Sequence, residues 1–129
     1  MKKIIVALAA TLLSAGPVAA ATAAPTALDA HIRLTATRAQ GETVLFGSVW
    51  LDCPGGERNH PHARAACADL QRAGGDFDRL PGGIGICSND ATPVTVTADG
   101  TYRGREVHWE RTFVDECALG VATGRVFDF

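Results

Sequence analysis

Two closely spaced histidines, four cysteines, several acid pairs and one glycine-rich loop are the residues whose chemistry has to be weighed first. His60 and His62 stand in Asn59-His-Pro-His62, where a His-x-His pair could hold a metal. No Glu, Asp or further His falls at ligand spacing around them, so they read as helix capping or surface hydrogen bonding. Asp76/Asp78 and Asp115/Glu116 could share a proton as an acid and a base, but such pairs read first as solvated faces. Gly-x-Ser-x-Gly, His-Glu-x-x-His and phosphate-loop patterns are all absent from the sequence. The expectation is a protein that is not an enzyme and needs neither metal nor cofactor.

The cysteines point to export. Lys2 and Lys3 precede an apolar run from Ile4 to Leu13, Ser14-Ala-Gly-Pro17 breaks it, and small residues fill Val18 to Ala24. This is the layout of a secretory signal peptide, with cleavage between Ala20 and Ala24. The run is too short to span a bilayer. Residues 1–24 are therefore expected to leave, and residues 25–129 to form one secreted, extracellular domain. Both lysines leave with the signal and no acid does, which takes the formal charge from −2 to −4. The remaining basic residues are scattered arginines, which argues against a nucleic-acid or membrane partner. In an exported chain the four cysteines imply two disulfides, and three connectivities are possible. Their order favours Cys53–Cys67 and Cys87–Cys117, each closing one local unit, and leaves no thiol nucleophile.

Between Pro81 and Pro93 the chain reads Pro-Gly-Gly-Ile-Gly-Ile-Cys-Ser-Asn-Asp-Ala-Thr-Pro. A cysteine lies two residues before a short polar stretch, and a proline closes that stretch. An exposed strand tethered this way can present a peptide bond to a protease and resist being carried off as product.

The elements that must hold this loop follow from periodicity. Ile32, Leu34 and Ala36 alternate with Arg33, Thr35 and Thr37 in a first strand. Gln40-Gly-Glu42 turns the chain into a second strand, Thr43 to Leu51. Its apolar parity shifts across Gly47-Ser48, as at a bulge. Pro61 can open a helix whose apolar face is Ala63, Ala66, Cys67, Leu70 and Ala73, stopped by Gly74-Gly75. Val94, Val96 and Ala98 mark a third strand. Val107, Trp109, Arg111 and Phe113 share one face of a fourth, with Glu106, His108, Glu110 and Thr112 opposite. Asp99-Gly100 and Arg103-Gly104 are both turn signals between these two strands. Val126, Phe127 and Phe129 suggest a short final strand. The class is α+β, an antiparallel sheet covered on one face by helix. Trp109 and Phe113 read as core, and exposed aromatics on the outer sheet face would suit a dimer.

At this point the chain resembles the Streptomyces subtilisin inhibitor family along nearly its whole exported length. Cys53-Pro, His60-Pro61 and Ala66-Cys67-Ala-Asp-Leu70 resemble the family's first disulfide and helix, and Ala73-Gly-Gly-Asp76 its following turn. Cys87, Pro93-Val94 and Gly100-x-x-x-Gly104 resemble the reactive loop and hairpin. Glu110-Arg-Thr-Phe113, Cys117 and Val126-Phe-Asp-Phe129 complete the order. The resemblance implies two layers, a five-stranded antiparallel sheet and two helices, with the two disulfides above. It also implies a homodimer packed through the sheets, and a substrate-like, reversible inhibitor of extracellular serine proteases, subtilisin-like enzymes first.

The resemblance places the reactive bond at Asn89–Asp90, within a loop of Ile84, Gly85, Ile86, Cys87, Ser88, Ala91, Thr92 and Pro93. Ile86 then suits the apolar subsite of subtilisin-like enzymes. Two residues depart from the family pattern: Asn89 stands where Met, Lys or Arg is usual, and Ser88 where Pro is frequent. The expectation is weak inhibition of trypsin and reduced inhibition of subtilisin. A second reading is an inhibitor-fold binding or scaffold protein with weakened or lost inhibition.

Overall fold

A computed structural model describes residues 15–20, 29–54, 59–88 and 92–129. The expected signal peptide therefore lies mostly outside the described residues. The elements run β1 (Ala30–Gln40), β2 (Thr43–Cys53), α1 (Ala63–Arg72), β3 (Val94–Tyr102), β4 (Arg105–Phe113) and α2 (Glu116–Thr123). A single 3-10 turn spans Phe77–Arg79. Among the described residues no helix is long and apolar enough to cross a membrane.

The strands form one antiparallel sheet in the order β2-β1-β3-β4. The alternation of β1 sets the two faces. Ala30, Ile32, Leu34 and Ala36 are fully buried on the helix side, beside Val94, Val96 and Ala98 of β3. Each large aliphatic side chain so covered stabilises the fold by roughly 1.5–3 kcal/mol. Ala63, Ala66 and Leu70 of α1 and Leu119 of α2 close the core from above. Gly75, after α1, lies so close to Tyr102 that a Cβ there would stand 2.3 Å from the ring, which requires glycine in the turn.

The structure corrects the sequence expectations in four places. The sheet has four strands, not five. Val126 and Phe127 are consecutive and both buried, which no strand with one covered face permits. They sit in a turn, where the Val126 and Asp128 amides donate to the Thr123 and Arg125 carbonyls. Their side chains cover the sheet instead of extending its edge, and Phe127 stacks at 5.8 Å on Trp109.

No bulge interrupts β2. Its register with β1 is continuous through Ala36–Gly47 and Thr35–Ser48. The apparent parity shift arises because Val44 and Phe46 point to the outer face, where they are 64% and 63% exposed. Asp99-Gly100 is strand, not turn, because those residues pair with His108 and Val107. The hairpin turns at Arg103-Gly104, both at positive φ (47° and 78°) as a two-residue loop of this twist requires. Finally, α1 opens at Ala63 behind His62, two residues later than Pro61 suggests.

Candidate functional site

The loop stem, Pro81 to Ser88, belongs to no helix, strand or turn. Ile84 and Ile86 are fully exposed, although both are large aliphatics, and Cys87 and Ser88 are exposed beside them. A segment whose backbone makes no hydrogen bond among the described residues, with outward apolar side chains, is suited to strand addition against a partner. Asn89, Asp90 and Ala91 lie outside the described residues. On the far side, Thr92 and Pro93 lead directly into β3, where Val94 is buried.

What holds the stem is α2. Cys87 is bonded to Cys117 with Cα atoms 5.6 Å apart, and Cys117 sits in the first turn of that helix. The helix is fixed in turn by Asp115, whose carboxylate accepts the Ala118 amide hydrogen at 2.7 Å as an N-cap. Gly82 packs so tightly on the other end of α2 that a Cβ would fall 1.7 Å from the Val121 carbonyl oxygen. Gly85 also runs against Val121. The stem thus lies along α2, held by a sulfur bridge at one end and close backbone packing at the other.

Beyond the loop, Glu116 pairs with Arg38 of β1. An open cleft of about 460 Å³ adjoins this pair, lined in part by Gly83, Leu119, Gly124 and Phe129. The second disulfide, Cys53–Cys67, joins the end of β2 to α1 with the same Cα separation of 5.6 Å. Both expected pairings are therefore present, and no cysteine is free.

The histidines are structural. His60 is fully buried, not at the surface. Its Nε2–H donates to the Val126 carbonyl at 2.8 Å, and its Nδ1 accepts the His62 amide hydrogen at 3.0 Å. Both ring nitrogens are thus used in the neutral form, and burial holds the imidazole below its ordinary pKa. His62 approaches Asp128 at 3.4 Å. No cluster of three metal-ligating side chains occurs among the described residues.

The acid pairs also have structural roles, and not simply as solvated faces. Asp76 accepts from the Asp78 amide, Asp78 accepts from the Trp109 indole N–H at 3.0 Å, and Asp115 is buried as the cap of α2. The resemblance implied a second helix, but no residue was read as its start; Arg38 went unread, and Glu116 was read only as half of a solvated acid pair.

The geometry is that of a tethered, outward-facing peptide segment. A family model described as subtilisin inhibitor-like matches residues 13–115. Subtilisin inhibitor-like protein 2 of Streptomyces rochei is 44% identical over 112 residues, covering 82% of this chain and 99% of the relative. The subtilisin inhibitor of Streptomyces albogriseolus is 37% identical over 123 residues, covering 91% and 85%. Among solved structures, Streptomyces caespitosus sermetstatin in complex with Bacillus licheniformis subtilisin matches with a TM-score of 0.57 and 32% identity. That match covers 77% of this chain and 97% of sermetstatin. The chain belongs to the subtilisin inhibitor-like family, a family of protease inhibitors and not of enzymes.

Proposed function

We propose that this protein is a secreted, substrate-like inhibitor of subtilisin-like serine proteases and that Asn89–Asp90 is its reactive bond. The observation that carries this reading is the exposed stem Ile84–Ser88, bonded through Cys87 to the first turn of α2, in a chain of this family. The stem adds to the enzyme as an extended strand and offers Ile86 to an apolar pocket. Cys87 holds the acyl side two residues before the bond, and Pro93 leads the leaving side straight into β3. After cleavage the new amine stays beside the acyl-enzyme at high effective concentration, so religation competes with hydrolysis and inhibition is reversible. Anchors on both sides of the bond also lower the ordering cost that a free peptide meets on binding.

Asn89 and Asp90 weaken this inhibitor. An amide buried without partners in an apolar pocket costs about 1–3 kcal/mol, and a carboxylate next to the developing oxyanion opposes its stabilisation. These two residues favour the second reading, a binding or scaffold protein that has kept the fold. Titration of the protein against subtilisin, trypsin, chymotrypsin and co-secreted proteases separates the two. Tight binding of a subtilisin-like enzyme with slow cleavage supports the inhibitor. Absence of inhibition across the panel at micromolar protein leaves the scaffold.

Export follows the signal peptide read over residues 1–24, with the secreted domain over 25–129. Homodimerisation follows the outer face of the sheet, which helices leave uncovered. Val44, Phe46 and Trp50 stand exposed there, with His31 stacked on Trp50 at 4.3 Å. A stable dimer needs roughly 800 Å² from each partner, and a second copy of this face supplies a matching apolar surface. Sedimentation should give a dimer, and Phe46→Asp a monomer. A wild-type monomer at micromolar concentration would contradict the dimer.

A further inference from the structure

We infer that Arg38 is a positioning residue for the loop, joining its two ends through Glu116; calling that loop reactive rests on the function proposed above. On the covered face of β1, Ala30, Ile32, Leu34 and Ala36 are fully buried. The next inward position is Arg38, a charged residue where the aliphatic pattern stops. Its backbone pairs with Val94, the first strand residue after the loop. Its guanidinium pairs with Glu116, whose chain neighbour Cys117 is bonded to Cys87 at the loop entrance. One side chain therefore connects the strand where the loop ends to the helix turn that anchors where it begins.

The space between these parts is a cavity of about 150 Å³, lined by Arg38, Gln40, Asp115, Glu116 and Cys117 and by Ser88 and Thr92, one from each flank of the loop. Within this region Arg38 Nε is buried and has no hydrogen-bond partner among the described residues. Buried donors are nearly always satisfied. Acceptors for this N–H line the cavity itself, among them the Asp115 and Glu116 carboxylates. A role in global stability does not account for the pair, because the Glu116 side chain is 63% exposed and such pairs contribute little to folding. Its effect is local, on how firmly the loop ends are held.

The test compares wild type with Arg38→Met, Arg38→Lys and the charge exchange Arg38→Glu/Glu116→Arg. Backbone order parameters of Ser88 and Thr92 in the free protein are read first. They should fall towards those of a flexible loop in Arg38→Met, return most of the way in Arg38→Lys and recover in part in the exchange variant. The thermal midpoint should stay near wild type. Against subtilisin, Arg38→Met should bind about two- to fivefold more weakly and be cleaved faster. Unchanged order parameters at Ser88 and Thr92 in Arg38→Met overturn the inference even where wild type inhibits. Wild type without inhibition, but with lower order parameters in Arg38→Met, overturns the inhibitor reading and leaves Arg38 as the residue that orders the loop.

Discussion

Replacing Cys87 and Cys117 by alanine removes a crosslink that spans 30 residues of sequence, whereas replacing Cys53 and Cys67 removes one that spans 14. In the chain-entropy treatment these closures are worth ~3.6 and ~3.0 kcal/mol at 25 °C. Cys53 is buried, so its truncation adds a small packing loss that brings the two costs closer still. For a domain of this size each variant should lose roughly 12–29 °C in thermal midpoint. Stability alone will not separate the two disulfides, but the loop should. Only Cys87–Cys117 ties the loop entrance to α2, and only its loss frees the acyl side of the proposed bond. Incubated with subtilisin in the cold, well below both midpoints, the Cys87/Cys117 variant should be nicked in the loop at least ~10-fold faster than the Cys53/Cys67 variant, because religation no longer competes. Mass spectrometry of the products over time reads both rate and position. Equal nicking rates in the two variants, or cleavage away from residues 88–92, would refute the claim that this bridge converts a substrate into an inhibitor.

Three further outcomes follow from the same geometry. Gly82→Ala places a Cβ against the Val121 carbonyl. It should cost about 1–3 kcal/mol in urea unfolding and weaken inhibition more than Gly41→Ala, where a Cβ meets nothing within 4 Å. Because burial lowers the His60 pKa in the folded state, the unfolded chain takes up that proton first. Its contribution is therefore complete above about pH 6.5 and is lost as pH falls through that value towards the folded pKa. Urea midpoints should drop across that window, and the drop should shrink in His60→Gln; an identical pH profile in that variant would falsify the assignment. Asn89→Met should strengthen binding to subtilisin by about 5- to 150-fold, the equivalent of an amide buried without partners, as read from inhibition titrations.

The parts legible in the sequence were those whose pattern has one physical cause. The β1 alternation Ile32-Leu34-Ala36, the β4 faces and the α1 stripe Ala63-Ala66-Leu70 each reflect burial on one side, and all appear as read. The disulfide pairs were legible because each closes a local unit. The remainder depended on packing between distant segments. Val126 and Phe127 look like strand residues, yet they are buried in a turn because Trp109 and Phe77 offer aromatic surface above the sheet. Only eight residues long, α2 includes Gly120 among them, so its apolar periodicity is short. Its clearest signal, the capping Asp115, was indistinguishable from a surface acid pair. Likewise nothing local distinguishes Arg38 from the other arginines. Its role depends on β1 pairing with β3 beside the foot of α2.

Sequencing the nicked protein tests the central claim most directly. The protein is held with a catalytic amount of subtilisin until the ratio of intact to cleaved forms stops changing, and the cleaved form is then isolated. The account predicts a gain of one water, a single new N-terminus at Asp90, and two fragments that stay joined through Cys87–Cys117 until reduced. It also predicts that the isolated cleaved form, returned to subtilisin, regenerates intact protein. A new N-terminus elsewhere, or cleavage that runs to completion without regeneration, would contradict it.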